Sequence, residues 1–170
     1  MILDRVEIGI RKYNWIMSRV HEADVSADGE FQKFYNGFYR MRQRPADFYK
    51  TYYAFLEENK DNRALTFEKV LTHLYEETGS IHASFSSKLL ATINPDMPIW
   101  DKFVLQNLGL RTPYYYEKDR LQKTVLLYQR ICDWYKSEEA MEKLQFFNEM
   151  FPNTEISDVK KIDFILWATR

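Results

Sequence analysis

Apolar residues recur every three or four positions along almost the whole chain, the spacing that puts side chains on one face of a helix. Val6, Ile10, Tyr13, Met17 and Val20 form the first such stripe. A polar break at 23–29 follows, and then Phe31, Phe34, Tyr35, Phe38 and Tyr39 predict a second helix. It is expected to stop before Pro45, because the residue ahead of a proline disfavours the α region. Phe48, Tyr52, Phe55 and Leu56 predict a third helix. Thr66 is placed to cap a fourth, with Phe67, Val70, Leu71, Leu74 and Tyr75 on its buried face. Gly79 is placed to end that helix in the left-handed conformation.

Phe85, Leu89, Leu90 and Ile93 mark a fifth helix, ending at Asn94-Pro95. After an extended piece at 97–100, Asp101 is placed to cap a helix through Leu108, stopped by Gly109. Over 116–135 the apolar positions cover Leu121, Val125, Tyr128 and Cys132 as well as Leu127, Ile131 and Trp134. So wide a face predicts a central, well-buried helix. Helical character continues over 138–150 with Pro152 as the break, and Ser157 is placed to cap a last helix bearing Val159, Ile162, Ile165, Leu166 and Trp167. No repeat, low-complexity tract or long linker divides the chain. The expectation is one all-α domain over residues 1–170, of about eight or nine helices.

Composition sharpens this picture. Five glycines and five prolines are too few for a turn-rich β architecture, and 12 Tyr, 12 Phe and four Trp predict a core built largely from rings. Apolar content of 45% with 29% charge excludes wholesale disorder. The longest apolar run, 164–168, is far short of the roughly 20 residues of a membrane span or the 7–15 of a signal peptide. A single cysteine, Cys132, excludes an intrachain disulfide and any Cys-rich zinc or iron–sulfur site. The expectation is a reducing, cytoplasmic location and no cofactor. Net charge is −1, which argues against strong non-specific affinity for nucleic acid by the whole surface.

The most informative stretch runs Gly79-Ser-Ile-His-Ala-Ser-Phe-Ser-Ser-Lys-Leu-Leu-Ala-Thr-Ile-Asn-Pro-Asp-Met-Pro-Ile-Trp-Asp101. A helix ending in a glycine turn, a second apolar helix, a short loop and then Ile-Trp-Asp opening another helix resembles the core of the helix-hairpin-helix DNA glycosylase superfamily. The resemblance centres on residues 66–110. It implies a multi-helix glycosylase-like fold, a double-stranded DNA partner and base-excision chemistry of the hydrolase class. By position Asp101 inherits the family's catalytic carboxylate, which stabilises positive charge on the sugar or activates a nucleophile. Gly79, Ser80 and Ile81 inherit the hairpin whose backbone N–H groups approach a DNA phosphate.

The departures are equally specific. Ile81 stands where the hairpin's second glycine would be, and Ala83, followed by Ser84, occupies the Schiff-base lysine position of the bifunctional members. Lys88 comes one helical turn later. A lysine-dependent lyase is therefore not expected; a monofunctional hydrolase and a catalytically silent relative both stay open. Asp101 is equally explained as a helix cap. Lys88 reads either as a snorkelling surface lysine or as a phosphate contact.

Other groups carry two readings each. Residues 31–53 hold five basic side chains, Arg40, Arg42 and Arg44 among them, against Asp47 alone, a local +4 that leaves −5 for the rest. Bases interleaved with rings suit nucleic acid; equally, the rings face the core and the arginines stay solvated or pair with glutamates. Tyr114, Tyr115 and Tyr116 form either a stacking or partner-binding platform or ordinary packing under a loop. His82 lies in the candidate hairpin, where a hydrogen bond to backbone is the plainer role, and the three histidines show no metal-ligand spacing. Asp163 is expected to face water; were it buried, Lys160, three residues away, would be a candidate partner. The alternative to a DNA-binding protein is a non-enzymatic, all-helical protein-interaction domain on the same fold. Oligomeric state is not legible.

Overall fold

The computed structural model describes residues 1–170 as nine α-helices with no strand: α1 (Ile2–Glu22), α2 (Gly29–Phe38), α3 (Ala46–Asn59), α4 (Phe67–Thr78), α5 (Ala83–Ile93), α6 (Lys102–Asn107), α7 (Arg120–Trp134), α8 (Glu138–Met150) and α9 (Asp158–Ala168). The chain is a single all-α domain, and no helix is long and apolar enough to cross a membrane. Helix ends follow local chemistry. The side chains of Thr66, Asp101 and Ser157 accept backbone N–H groups at the starts of α4, α6 and α9, and Gly79 ends α4 at φ +78°. Asp28 and Ser137 cap α2 and α8 in the same way. Each such cap contributes about 1 kcal/mol.

Two boundaries differ from expectation. α2 ends at Phe38, well before Pro45, because Arg40 (φ 54°) and Gln43 (φ 59°) adopt left-handed backbone. α7 begins at Arg120 rather than near 116: Glu117 pairs with Arg111 at 2.9 Å and accepts the Tyr114 N–H, which holds 111–117 as a turn. α8 spans Glu138–Met150, the range the pattern predicts, with Ser137 capping its start. α7 also buries one face only, through Thr124, Tyr128, Ile131 and Trp134, while Leu126 is exposed.

α2, α3, α4 and α5 enclose the largest core, which contains Phe31, Tyr35, Tyr52, Tyr53, Leu71, Leu74 and Leu89. α9 packs against both α1 and α8. Being covered on two sides, it is buried at every position from Ile162 to Leu166. Asp163 consequently does not face water. It is sealed, with Lys160 Nζ 3.1 Å from Oδ2 and the Tyr135 hydroxyl donating to Oδ1 at 2.5 Å. Burial pushes the Asp163 carboxyl up from the ordinary range, against the pull of Lys160 and the Tyr135 hydrogen bond. The Lys160 ammonium is also fully buried, facing the rings of Trp167 at 5.0 Å, Tyr13 at 5.1 Å and Tyr39 at 5.8 Å.

Candidate nucleotide-binding cavity

Buried tyrosines set the position of α5. The Tyr52 hydroxyl donates to the Phe85 carbonyl at 3.1 Å and lies 3.0 Å from the Tyr35 hydroxyl, which is 2.8 Å from Thr92 Oγ1. Burial raises both phenols well above their ordinary range, so they remain neutral hydrogen-bonding groups. The loop after α5 is tied back to the helix: the Trp100 N–H donates to Ser87 Oγ at 2.7 Å, and Ser87 donates to the Ser84 carbonyl at 2.7 Å. Tyr128 adds a bond to the Pro98 carbonyl at 2.7 Å. These contacts deliver Asp101 to the start of α6, where Oδ1 accepts the N–H groups of Phe103 (2.9 Å) and Val104 (3.1 Å).

Beside Asp101 opens a cavity of about 990 Å³, walled by the first half of α1, the end of α2, α5, residues 99–103 and the end of α9. Its lining gathers five cationic side chains, Arg5, Arg40, Lys88, Lys102 and Arg170, against one carboxylate, Asp101. Six rings share the walls: Phe38, Tyr39, Trp100, Phe103, Phe164 and Trp167. Gly9 is required where α1 meets α9, since a Cβ there would come within 2.7 Å of the Phe164 ring. In a chain of net charge −1, this is a local concentration of positive charge over aromatic surface.

The cavity brings together some of the residues the sequence singles out. Asp101, Lys88, Ser84 and Arg40 all line it. Lys88 is not a snorkelling surface lysine: its Nζ donates to the Tyr39 carbonyl at 2.7 Å and lies 5.1 Å from the Phe85 ring centre. Burial, with Arg40 nearby, pushes its amine down to about 8. Asp101 is only 7% exposed and makes an ion pair through Oδ2 with Arg170. The hairpin lies just ahead of Ser84 but outside the lining. Gly79 is left-handed there, whereas Ile81 is not among the positive-φ residues, so the turn imposes no conformational demand for its missing glycine. The N–H groups of Ile81 and His82 have no partner within the chain, and Ser80 N–H reaches Thr78 Oγ1 at 3.4 Å. His82 bonds the Thr78 side chain at 3.1 Å rather than backbone, and burial followed by the charge of Arg44 lowers its pKa.

The basic segment divides. Its rings Tyr35, Tyr39, Phe48, Tyr52 and Tyr53 are core residues, not stacking platforms. Its arginines pair with no acid: Arg40 enters the cavity, Arg44 sits 4.9 Å from the Phe85 ring centre beside the hairpin, and Arg42 is exposed. Left-handed backbone at a non-glycine residue costs about 1–2 kcal/mol. At Arg40 that strain is held by the buried Met41, whose carbonyl accepts from Tyr49 at 2.9 Å. Tyr114, Tyr115 and Tyr116 are not packed under a loop; all three are exposed, Tyr115 by 85%.

Sequence reasoning missed Arg5, Lys102 and Arg170. Each sits singly in a helix or at its end, and only the cavity that residues of α1, α5, 99–103 and α9 line together unites them. Comparison of the chain with family models, with curated proteins and with solved structures finds no match in any of the three.

Proposed function

We propose that this protein binds DNA and receives an extruded nucleotide in the cavity beside Asp101. The observation that carries the reading is the composition of the lining, with five cations and one carboxylate set among six rings. Cations pair with phosphates, and an exposed ring face, here that of Phe103, stacks a base taken out of a duplex. The cavity has ample room for a nucleotide. The order α4, Gly79 turn, α5, loop, Asp101 and α6 resembles a helix-hairpin-helix glycosylase core, which supports the same reading. On this view the free N–H groups ahead of α5 meet a backbone phosphate. Arg40 and Lys88 hold the phosphates flanking the extruded nucleotide, and Asp101 faces its sugar.

Asp101 then acts by electrostatics as a monofunctional hydrolase would require, provided that Oδ2 is free. Here Oδ2 is paired to Arg170. A second reading, a protein-interaction domain, rests on the exposed Tyr114–Tyr116 cluster.

The test is fluorescence anisotropy with a duplex carrying a stable abasic analogue, across a salt series. Salt-sensitive binding that weakens in Arg40→Ala supports the reading; no binding even at low salt removes it. A pH dependence follows from Lys88. A depressed amine is protonated below about 8 and neutral above it, and only the ammonium attracts phosphate. Affinity should therefore fall as pH rises through about 8, with a proton taken up on binding, and Lys88→Met should flatten the step. A wild-type profile without that step would remove Lys88 from the contact.

A further inference from the structure

Asp101 has one oxygen left for chemistry, and Arg170 occupies it. Oδ1 is committed to two backbone N–H groups of α6, so a ligand or water can engage only Oδ2. Arg170 Nη1 is ion-paired to that oxygen, with the guanidinium 4.7 Å from the Phe103 ring centre. Arg170 is the more accessible partner, its side chain 27% exposed against 7% for Asp101. The other four cavity cations have no acidic partner within the chain. An anion that enters meets their combined field, and of the three arginines able to clasp it bidentately, Arg5, Arg40 and Arg170, only Arg170 is already held by a carboxylate.

We propose that Arg170 is a phosphate-binding residue held in reserve on Asp101, so that a phosphate entering the cavity draws the guanidinium away and uncovers Oδ2. Guanidinium matches a phosphate with two parallel hydrogen bonds, better than it matches the single free oxygen of a capping aspartate. Ligand binding and exposure of the carboxylate are then one event. While Arg170 is paired to it the carboxylate stays covered; once the guanidinium turns to a phosphate, Oδ2 faces the ligand. This rests on the reading of the cavity as a phosphate-bearing nucleotide site, and it makes Asp101 a competitor of the ligand for Arg170.

The competition is measurable. Asn caps helices as well as Asp does, so Asp101→Asn keeps the N-cap while releasing Arg170. Binding is followed in wild type, Asp101→Asn, Arg170→Gln and the double variant, with the abasic-analogue duplex and, separately, inorganic pyrophosphate. Arg170→Gln should weaken both ligands and reduce the salt slope for the duplex by about 0.9, the value of one phosphate contact. Asp101→Asn should tighten both by about two- to fivefold, as expected for releasing a partly exposed ion pair. That gain must vanish in the Arg170→Gln background. A gain that persists there reflects bare charge removal, and either that or no gain at all overturns the exchange. If pyrophosphate shows the coupling and the duplex does not bind, the exchange stands and the DNA reading falls. If the duplex binds without the coupling, the reverse holds. If neither ligand binds, both fall.

Discussion

Asp163→Ala is expected to remove about 3–5 kcal/mol of folding free energy, because it leaves a buried ammonium with no counter-charge. Lys160 Nζ has the Asp163 carboxylate as its only ion-pair partner and is otherwise surrounded by ring faces, with no exposure to water. The pair itself is not a strong source of stability. Desolvation of Asp163 outweighs the attraction of Lys160, which is why the carboxyl is shifted up rather than down. Replacing both partners by apolar residues of similar size, Lys160→Met with Asp163→Leu, should therefore recover most of the loss. The Tyr135 hydroxyl would give up its bond to Asp163, so the recovery should be incomplete. Urea unfolding of the two single variants and the double variant at neutral pH measures this. A double variant as unstable as Asp163→Ala would show that the ion pair is itself stabilising. The pair backs Tyr39 and Trp167, two rings of the cavity wall, so its disruption should also loosen the site.

The second large effect concerns binding alone. Phe103 lies at the cavity with 47% of its surface exposed, close to the Arg170 guanidinium and Lys102. An exposed ring between two cations is suited to stack on an extruded base. Phe103→Ala should cost about 1–3 kcal/mol of affinity for a duplex carrying a mismatched, extrudable base, the usual range for one base–ring stack. Its N–H still donates to Asp101 after truncation. Thermal stability should accordingly change by no more than about 0.5 kcal/mol. Phe103→Trp should retain binding. Unchanged affinity in Phe103→Ala would place the base elsewhere in the cavity or outside it.

Local chemistry was the legible part of this protein. Thr66, Asp101 and Ser157 read as caps and act as caps, and Gly79 reads as a left-handed helix end and is one. These signals depend on neighbours a few residues away, so the sequence carries them directly. Lys88 and Arg40 were harder. A lone lysine on an apolar helix looks like a snorkelling side chain unless a carbonyl from another element, here Tyr39, waits for it. Arg40 reaches the cavity through a left-handed turn that no glycine announces. Asp163 was misplaced although a signal existed: Ile162, Phe164, Ile165, Leu166 and Trp167 surround it on every side of the helix, a pattern of burial all round rather than of one wet face. Arg5 and Arg170, near opposite ends of the sequence, line the same cavity, and nothing local encodes that.

The most direct test of the account is where a base touches the protein. A duplex bearing 5-iodouracil opposite a mismatch, irradiated with the protein, forms covalent adducts at aromatic side chains in contact with that base, and peptide mass spectrometry locates them. Adducts are expected at Phe103 or Trp100, lost on competition with the abasic-analogue duplex. Adducts confined to Tyr114–Tyr116, or none in a complex shown to form, would contradict it.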